Sequence, residues 1–199
     1  MKNVYSSGLA KLPGLHVMDE TEIKDLSFQL QELLLGNSES GKVIFTLDEL
    51  STEKADTPYI RATHFSSQNV FFINYNSKSE MNGVISFLGL DSLSPVVAIG
   101  LLVVFSDDSE EYGRVAINIL KQSEEALRSI ANVNKIRVVI KNYSCSESEN
   151  DNNVDIQAGL DRKFLYEILN NCGYRKEAFL KNEVGLGIDI EYYTKQLET

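Results

Sequence analysis

Apolar residues in this chain recur at helical spacing in three stretches and gather into short, dense or alternating runs between them. Asp19 and Glu22 have capping-box spacing, and Ile23, Leu26, Leu30, Leu33 and Leu34 then share a face ahead of Gly36, which predicts a helix. Ala116, Ile119, Leu120, Leu127 and Ile130 form a second stripe and predict a helix from Gly113 to Ile130. In the third stretch Asp161 caps a helix whose buried side is Phe164, Leu165, Ile168, Leu169 and Cys172, with Gly173 as its stop.

The remaining apolar runs predict strands. Gly14 to Met18 reads as a short one. Val70 to Tyr75 and Val84 to Leu90 form a hairpin across the polar segment Asn76 to Gly83. Val96 to Phe105 is apolar on both faces and therefore central in a sheet. Ile136, Val138 and Ile140 alternate with Arg137, Val139 and Lys141 in a strand from Lys135 that ends at Asn142. Two closing strands, Tyr174 to Lys181 and Ile188 to Lys195, flank a turn at Val184 to Gly187. Between Asn37 and Gln68 the pattern weakens: Val43 to Leu47 is extended, Asp48 to Ala55 a helical turn or two, and Pro58 a break. Ser144 to Asn153, almost wholly Ser, Glu, Asp and Asn, has the composition of a mobile loop.

A strand at Val96, a polar loop from Ser106 to Tyr112, a helix opened by Gly113 and a further strand suit a nucleotide-like phosphate, held on the unpaired N–H groups of the helix's first turn. Such a site is built from main chain.

Composition narrows the classes. With 199 residues the default is one domain over residues 1–199, and 43% hydrophobic residues argue against wholesale disorder. A formal charge of −10 repels a nucleic-acid backbone, so nucleic acid is excluded as a partner, while an amine or basic peptide tail would be attracted. The same acidity also serves as a solvated surface that maintains solubility. Cys145 and Cys172 lack paired spacing and a neighbouring histidine, so neither a metal site nor a disulfide scaffold is expected. His16 and His64 have no Ser or Cys motif beside them, which removes a nucleophile triad. Met1 to Leu12 lacks the apolar core of a signal peptide and Val96 to Phe105 is too short to span a bilayer, so the expectation is a cytoplasmic protein without membrane contact.

Strand, helices, hairpin, central strand, helix, strand, helix and closing hairpin, from about Gly14 to Leu197, is an order that resembles the GNAT superfamily of N-acetyltransferases. The likeness is best from Asp161 to Leu197, which resembles the ending of the ribosomal-protein N-terminal acetyltransferase branch. There a helix ends in a Gly-Phe pair, followed by a Glu-Gly pair and later by an Asp and a Tyr; the corresponding residues here are Gly173, Tyr174, Glu177, Ala178, Asp189 and Tyr192 or Tyr193.

The resemblance implies an α/β (mixed α+β) fold: a central mixed, mostly antiparallel sheet with splayed central strands and helices on both faces. It implies acetyl-CoA as cosubstrate, its pantetheine arm paired with main chain of Leu102, Val103 and Val104 as if it were another strand. The pyrophosphate is expected on N–H groups of Glu111, Tyr112, Gly113, Arg114 and Val115, with Asn142 bonding the arm. Tyr166 is the implied general acid, although it lies seven residues before Gly173 where the family's usual spacing is four. Glu80, Glu110 and Glu111 are the candidates for the base. Glu110-Glu111-Tyr112-Gly113-Arg114-Val115 departs from the family's phosphate loop, keeping one clear glycine match and placing two carboxylates where the anion would lie.

The expectation is therefore an N-acetyltransferase acting on a primary amine, a small amine or a protein N-terminus, as monomer or homodimer. The alternative is a GNAT-like acyl-CoA sensor or interaction module without turnover. Both enzyme and sensor require that two neighbouring strands part in mid-sheet and leave an unplugged gap between them.

Overall fold

The computed structural model of the chain describes residues 3–6, 16–17, 21, 26, 28–29, 41–47, 50–51, 70–78, 80–89, 95–106, 108–130, 133–143, 153–154, 161–185 and 187–197. In chain order the strands are β1 (Asn3–Ser6), β2 (His16–Val17), β3 (Lys42–Thr46), β4 (Leu50–Ser51), β5 (Val70–Tyr75), β6 (Met81–Leu88), β7 (Val96–Val104), β8 (Lys135–Tyr143), β9 (Asn153–Val154), β10 (Arg175–Gly185) and β11 (Ile188–Gln196). Two helices, α1 (Tyr112–Ile130) and α2 (Arg162–Asn171), follow β7 and precede β10. The main sheet runs β10, β11, β8, β7, β6, β5, β1, β2, with β3 paired to β7 off this path, while β4 and β9 make a separate pair. Among the described pairings only β7–β8 and β1–β2 are parallel. The sheet is thus mixed and mostly antiparallel, as expected.

Alternation along the strands divides the core in two. Phe72, Ile85, Phe87, Leu102, Val104, Ile136 and Val138 face α1 and α2, whose Ala116, Ile119, Leu120, Leu165, Ile168 and Leu169 fill the space above them. Phe71, Ile73, Val84, Leu101 and Val103 point the other way and pack with the helical residue Leu26. α1 and α2 thus cover one face, as expected, and the helical residue Leu26 packs on the other. Burying a side chain of this size contributes about 1.5–3 kcal/mol, so the two layers dominate the stability. Where α1 crosses β6 the approach is close: a Cβ on Gly83 would stand 2.1 Å from Ile119 Cδ1 and 3.1 Å from the Val103 carbonyl oxygen.

Most elements lie where the periodicity places them, with specific differences. β1 is a strand the pattern did not reveal. β6 begins at Met81 rather than Val84, because the turn closes within Asn76–Glu80, where the Asn76 side chain accepts from the N–H groups of Lys78 and Glu80. Leu50 and Ser51 are extended, pairing with Val154 and Asn153, instead of helical. Asn153, expected in the loop, belongs to that pair, and the rest of Ser144 to Asn153 lies outside the described residues, as does most of the helix expected after Asp19. A 3-10 turn, Ser109–Glu111, leads into α1. Gly173 ends the α2 region at φ +83°, the left-handed conformation that glycine takes without strain. Among the described residues no helix is long and apolar enough to cross a membrane.

Candidate functional site

β7 and β8 pair at only three positions, Val96 with Lys135, Val97 with Ile136 and Ala98 with Arg137. Beyond Ala98 they separate, while β8 stays laddered to β11 as far as Tyr143. The cause is local. β6 pairs Phe87 with Ile99 and Ser86 with Leu101, so Gly100 is an extra residue in β7, a bulge immediately after the last β8 contact. A Cβ there would lie 2.8 Å from Leu88 and 2.9 Å from Ser86 Oγ, which is why glycine occupies the bulge. Bulges bend their strand and raise its twist, and this one turns β7 away from β8.

The opened edge is filled by β3. Lys42 is the register partner of Val104, Val43 of Val103, Phe45 of Leu102 and Thr46 of Leu101, with Ile44 bulged between, and the Leu47 N–H donates to the Gly100 carbonyl at 2.8 Å. Ile44 and Phe45 are 2% and 1% exposed and join the core beneath α1 and α2. Lys42 reaches α2, with its ammonium 3.5 Å from an Asp161 carboxylate oxygen and 4.3 Å from the Phe164 ring centre. This corrects the expectation for Leu102, Val103 and Val104. β6 ladders one edge of them through Ile85, Val84 and Gly83, and β3 ladders the other, so the free main-chain edge that a carrier arm needs is taken by the chain itself. The strands part as required; the gap is plugged.

The turn expected to hold phosphate is capped internally. Asp108 is the N-cap of the 3-10 turn and its carboxylate accepts from Glu110 N–H at 2.9 Å, the role an anionic ligand would take. Ser106 Oγ accepts from Asp108 N–H, and the Tyr112 hydroxyl donates to the Ser106 carbonyl. Arg114 is ion-paired with Glu111, one turn away on the same exposed surface. Beside this turn a hollow of about 380 Å³ is lined by Lys78, Glu80, Asp108 and Glu111 among others, so the fold gathers carboxylates at the end of β7. Val115, in the first turn of α1, is buried in the core. Gly113 has no structural obligation to be glycine, since a Cβ would meet only Phe164, at an ordinary 3.5 Å.

Tyr166 is turned toward the closing hairpin. Its hydroxyl donates to Glu191 at 3.1 Å and its ring stacks on Tyr193 with centroids 5.3 Å apart; burial and the Glu191 carboxylate push the phenol up to about 12. The α2 ring that meets β3 and the start of α1 is Phe164. Asn142 pairs across to Asp189 and shares the face of Ile136, Val138 and Ile140, so it is on the helix side of the split. On that strand the Lys141 carbonyl accepts from Arg162 of α2 at 2.6 Å. Glu80 accepts from the Asn76 side chain, and Glu110 is exposed. Cys172 is buried, and burial raises its thiol to about 11, which makes it a packing residue. No group of His, Cys, Asp and Glu among the described residues is placed to hold a metal ion.

Sequence reasoning missed three features. The pattern of β3 specifies an extended segment but not the strand that it joins. The Asp108 cap follows from Asp-Ser-Glu-Glu at a helix lead-in and was legible. Glu191, a carboxylate on the buried face of β11 that accepts from both Tyr166 and Lys176, was masked by the flanking Ile190 and Tyr192.

No family model matches the chain, and no curated protein matches it by sequence. Among solved structures, the aminoglycoside 6'-N-acetyltransferase from Enterococcus faecium is similar over 92% of this chain and 96% of that chain, at 14% identity and a TM-score of 0.57. An aminoglycoside 6'-N-acetyltransferase complexed with coenzyme A covers 66% of this chain and 74% of its own at 15% identity, with a TM-score of 0.46. At the first of these values the likeness is one of architecture: the chain has the GNAT fold.

Proposed function

We propose that this protein is an acetyl-CoA-dependent N-acetyltransferase acting on a primary amine, a small amine or a protein N-terminus, seen here closed against its cosubstrate. The observation that supports the reading is the divergence of β7 from β8 after Ala98, built in by the Gly100 bulge and roofed by α1 and α2. With β3 out of the split, main chain of Leu102, Val103 and Val104 would be free to pair with a pantetheine arm, and Asn142 faces the same side. The amine nitrogen attacks the thioester carbonyl and gives up a proton to a carboxylate, for which Glu80, Glu110 and Glu111 are the candidates; the carbon–sulfur bond breaks, and the leaving thiolate takes a proton, for which Tyr166 is our candidate once it releases Glu191. The net negative charge favours a cationic acceptor.

A second reading has its own support. The plugged split and the carboxylate-capped turn are what a GNAT-fold interaction module without turnover would show. Thermal shift separates them, because a ligand at 100 times its Kd adds about 2.7 kcal/mol to the folded state. Stabilisation by acetyl-CoA with thiol release over an amine panel is the expected result. No stabilisation favours the module, and stabilisation without thiol release favours a sensor.

A further inference from the structure

We infer that β3 is an intrasteric strand: residues 42–46 occupy the place of the carrier arm, and acetyl-CoA enters only by displacing them. The inference rests on the carrier reading above and adds its regulation. Three observations carry it. The edge that β3 covers on Leu101 to Val104 begins where β8 departs, so an extended segment of the same chain takes the β7 edge that β8 leaves. Its side chains, Ile44 and Phe45, enter the space beneath α1 and α2 that an arm lying along β7 would need. Its attachment is one-sided. Among the described pairings β3 joins the sheet through β7 alone, its ladder is interrupted at Ile44, and its Lys42 end is held to α2 by a partly exposed ion pair and a cation–ring contact.

A strand of this kind sets apparent affinity. The carrier binds only the fraction of molecules in which β3 is out, and its Kd is raised in inverse proportion to that fraction. Anything that stabilises β3 in the split, or draws it out, then controls activity without touching a reacting group.

A reversible lock tests this. Thr46 and Leu101 are register partners and both are buried, so Thr46→Cys with Leu101→Cys brings two thiols into cross-strand position. Acetyl-CoA binding is measured calorimetrically on the oxidised and the reduced forms of this one protein. The reduced form is expected to bind and the oxidised form to bind roughly tenfold more weakly or worse, with affinity restored by reductant. In the wild type, amide exchange at residues 42–46 should accelerate on saturation with acetyl-CoA. Equal binding by both forms, or binding to the wild type with those amides still protected, overturns the inference and leaves the carrier reading standing. If no form binds, including a Phe45→Gly variant that empties the split of its ring, the carrier reading fails and the inference with it.

Discussion

The Tyr166 hydroxyl donates to the Glu191 carboxylate at 3.1 Å, and Lys176 donates to the other oxygen of that carboxylate at 2.6 Å. The phenol, held at about 12, remains protonated through the neutral range and so stays a donor. In Tyr166→Phe, Glu191 keeps its lysine, so the stability loss should be about 1 kcal/mol by chemical denaturation. If the phenol also protonates the leaving thiolate, kcat should fall about 100-fold with KM unchanged. A stability loss with unchanged kcat confines Tyr166 to packing.

Lys195 of β11 and Glu124 of α1 form an ion pair with side chains 20% and 4% exposed, beside Tyr174. Lys195→Met leaves the buried carboxylate without its cation and should destabilise the fold by about 3–5 kcal/mol. Adding Glu124→Leu should recover most of that loss, because the removal of both charges abolishes the desolvation cost along with the attraction. Urea denaturation of the single and double variants measures the difference. An unrecovered double variant would mean that packing, rather than charge, governs this contact.

The sequence carried the sheet and both described helices because each had a full period of pattern behind it: Val96–Val104 for the central strand, Ala116 to Leu127 for α1 and Asp161 with Leu165 and Ile168 for α2. The parting of β7 from β8 was legible only through resemblance. Its cause, Gly100, reads in sequence as an ordinary strand glycine, and only the pairing of Phe87 with Ile99 and Ser86 with Leu101 identifies it as a bulge. β3 was beyond reach for a different reason. Five residues around a short apolar run specify an extended segment, but the choice of partner edge is a tertiary matter that local pattern does not encode.

Asp161 caps α2 by accepting from Phe164 N–H at 3.1 Å, and that bond, with Lys42 nearby, lowers its carboxyl below the ordinary 3.8. A depressed folded-state value means that the ionised group stabilises the protein above the unfolded value, and that this contribution is lost as pH falls through the folded one. Asp161→Ala should therefore be less stable than wild type at neutral pH, with the gap narrowing as pH drops below 3.8. Denaturation midpoints across that range provide the check, and a gap independent of pH would assign the cap's effect to something other than its charge.

Gly83 and Gly113 should respond oppositely to an added Cβ. At Gly83 the new atom would collide with Ile119 Cδ1 and crowd the Val103 carbonyl, so Gly83→Ala should cost about 1–3 kcal/mol through displacement of α1 from β6. At Gly113 the Cβ meets only the Phe164 ring at van der Waals distance, and replacing a helical glycine by alanine should raise stability by up to about 1 kcal/mol. That difference isolates function from folding. If the start of α1 takes a phosphate once β3 is displaced, Gly113→Val, with bulk at the backbone itself, should weaken acetyl-CoA binding in a protein that is fully folded. Thermal denaturation establishes the fold of each variant and calorimetric titration measures the affinity. Unchanged affinity in Gly113→Val would remove the α1 turn from the carrier site and leave the diverging strand edges of β7 and β8 to grip it.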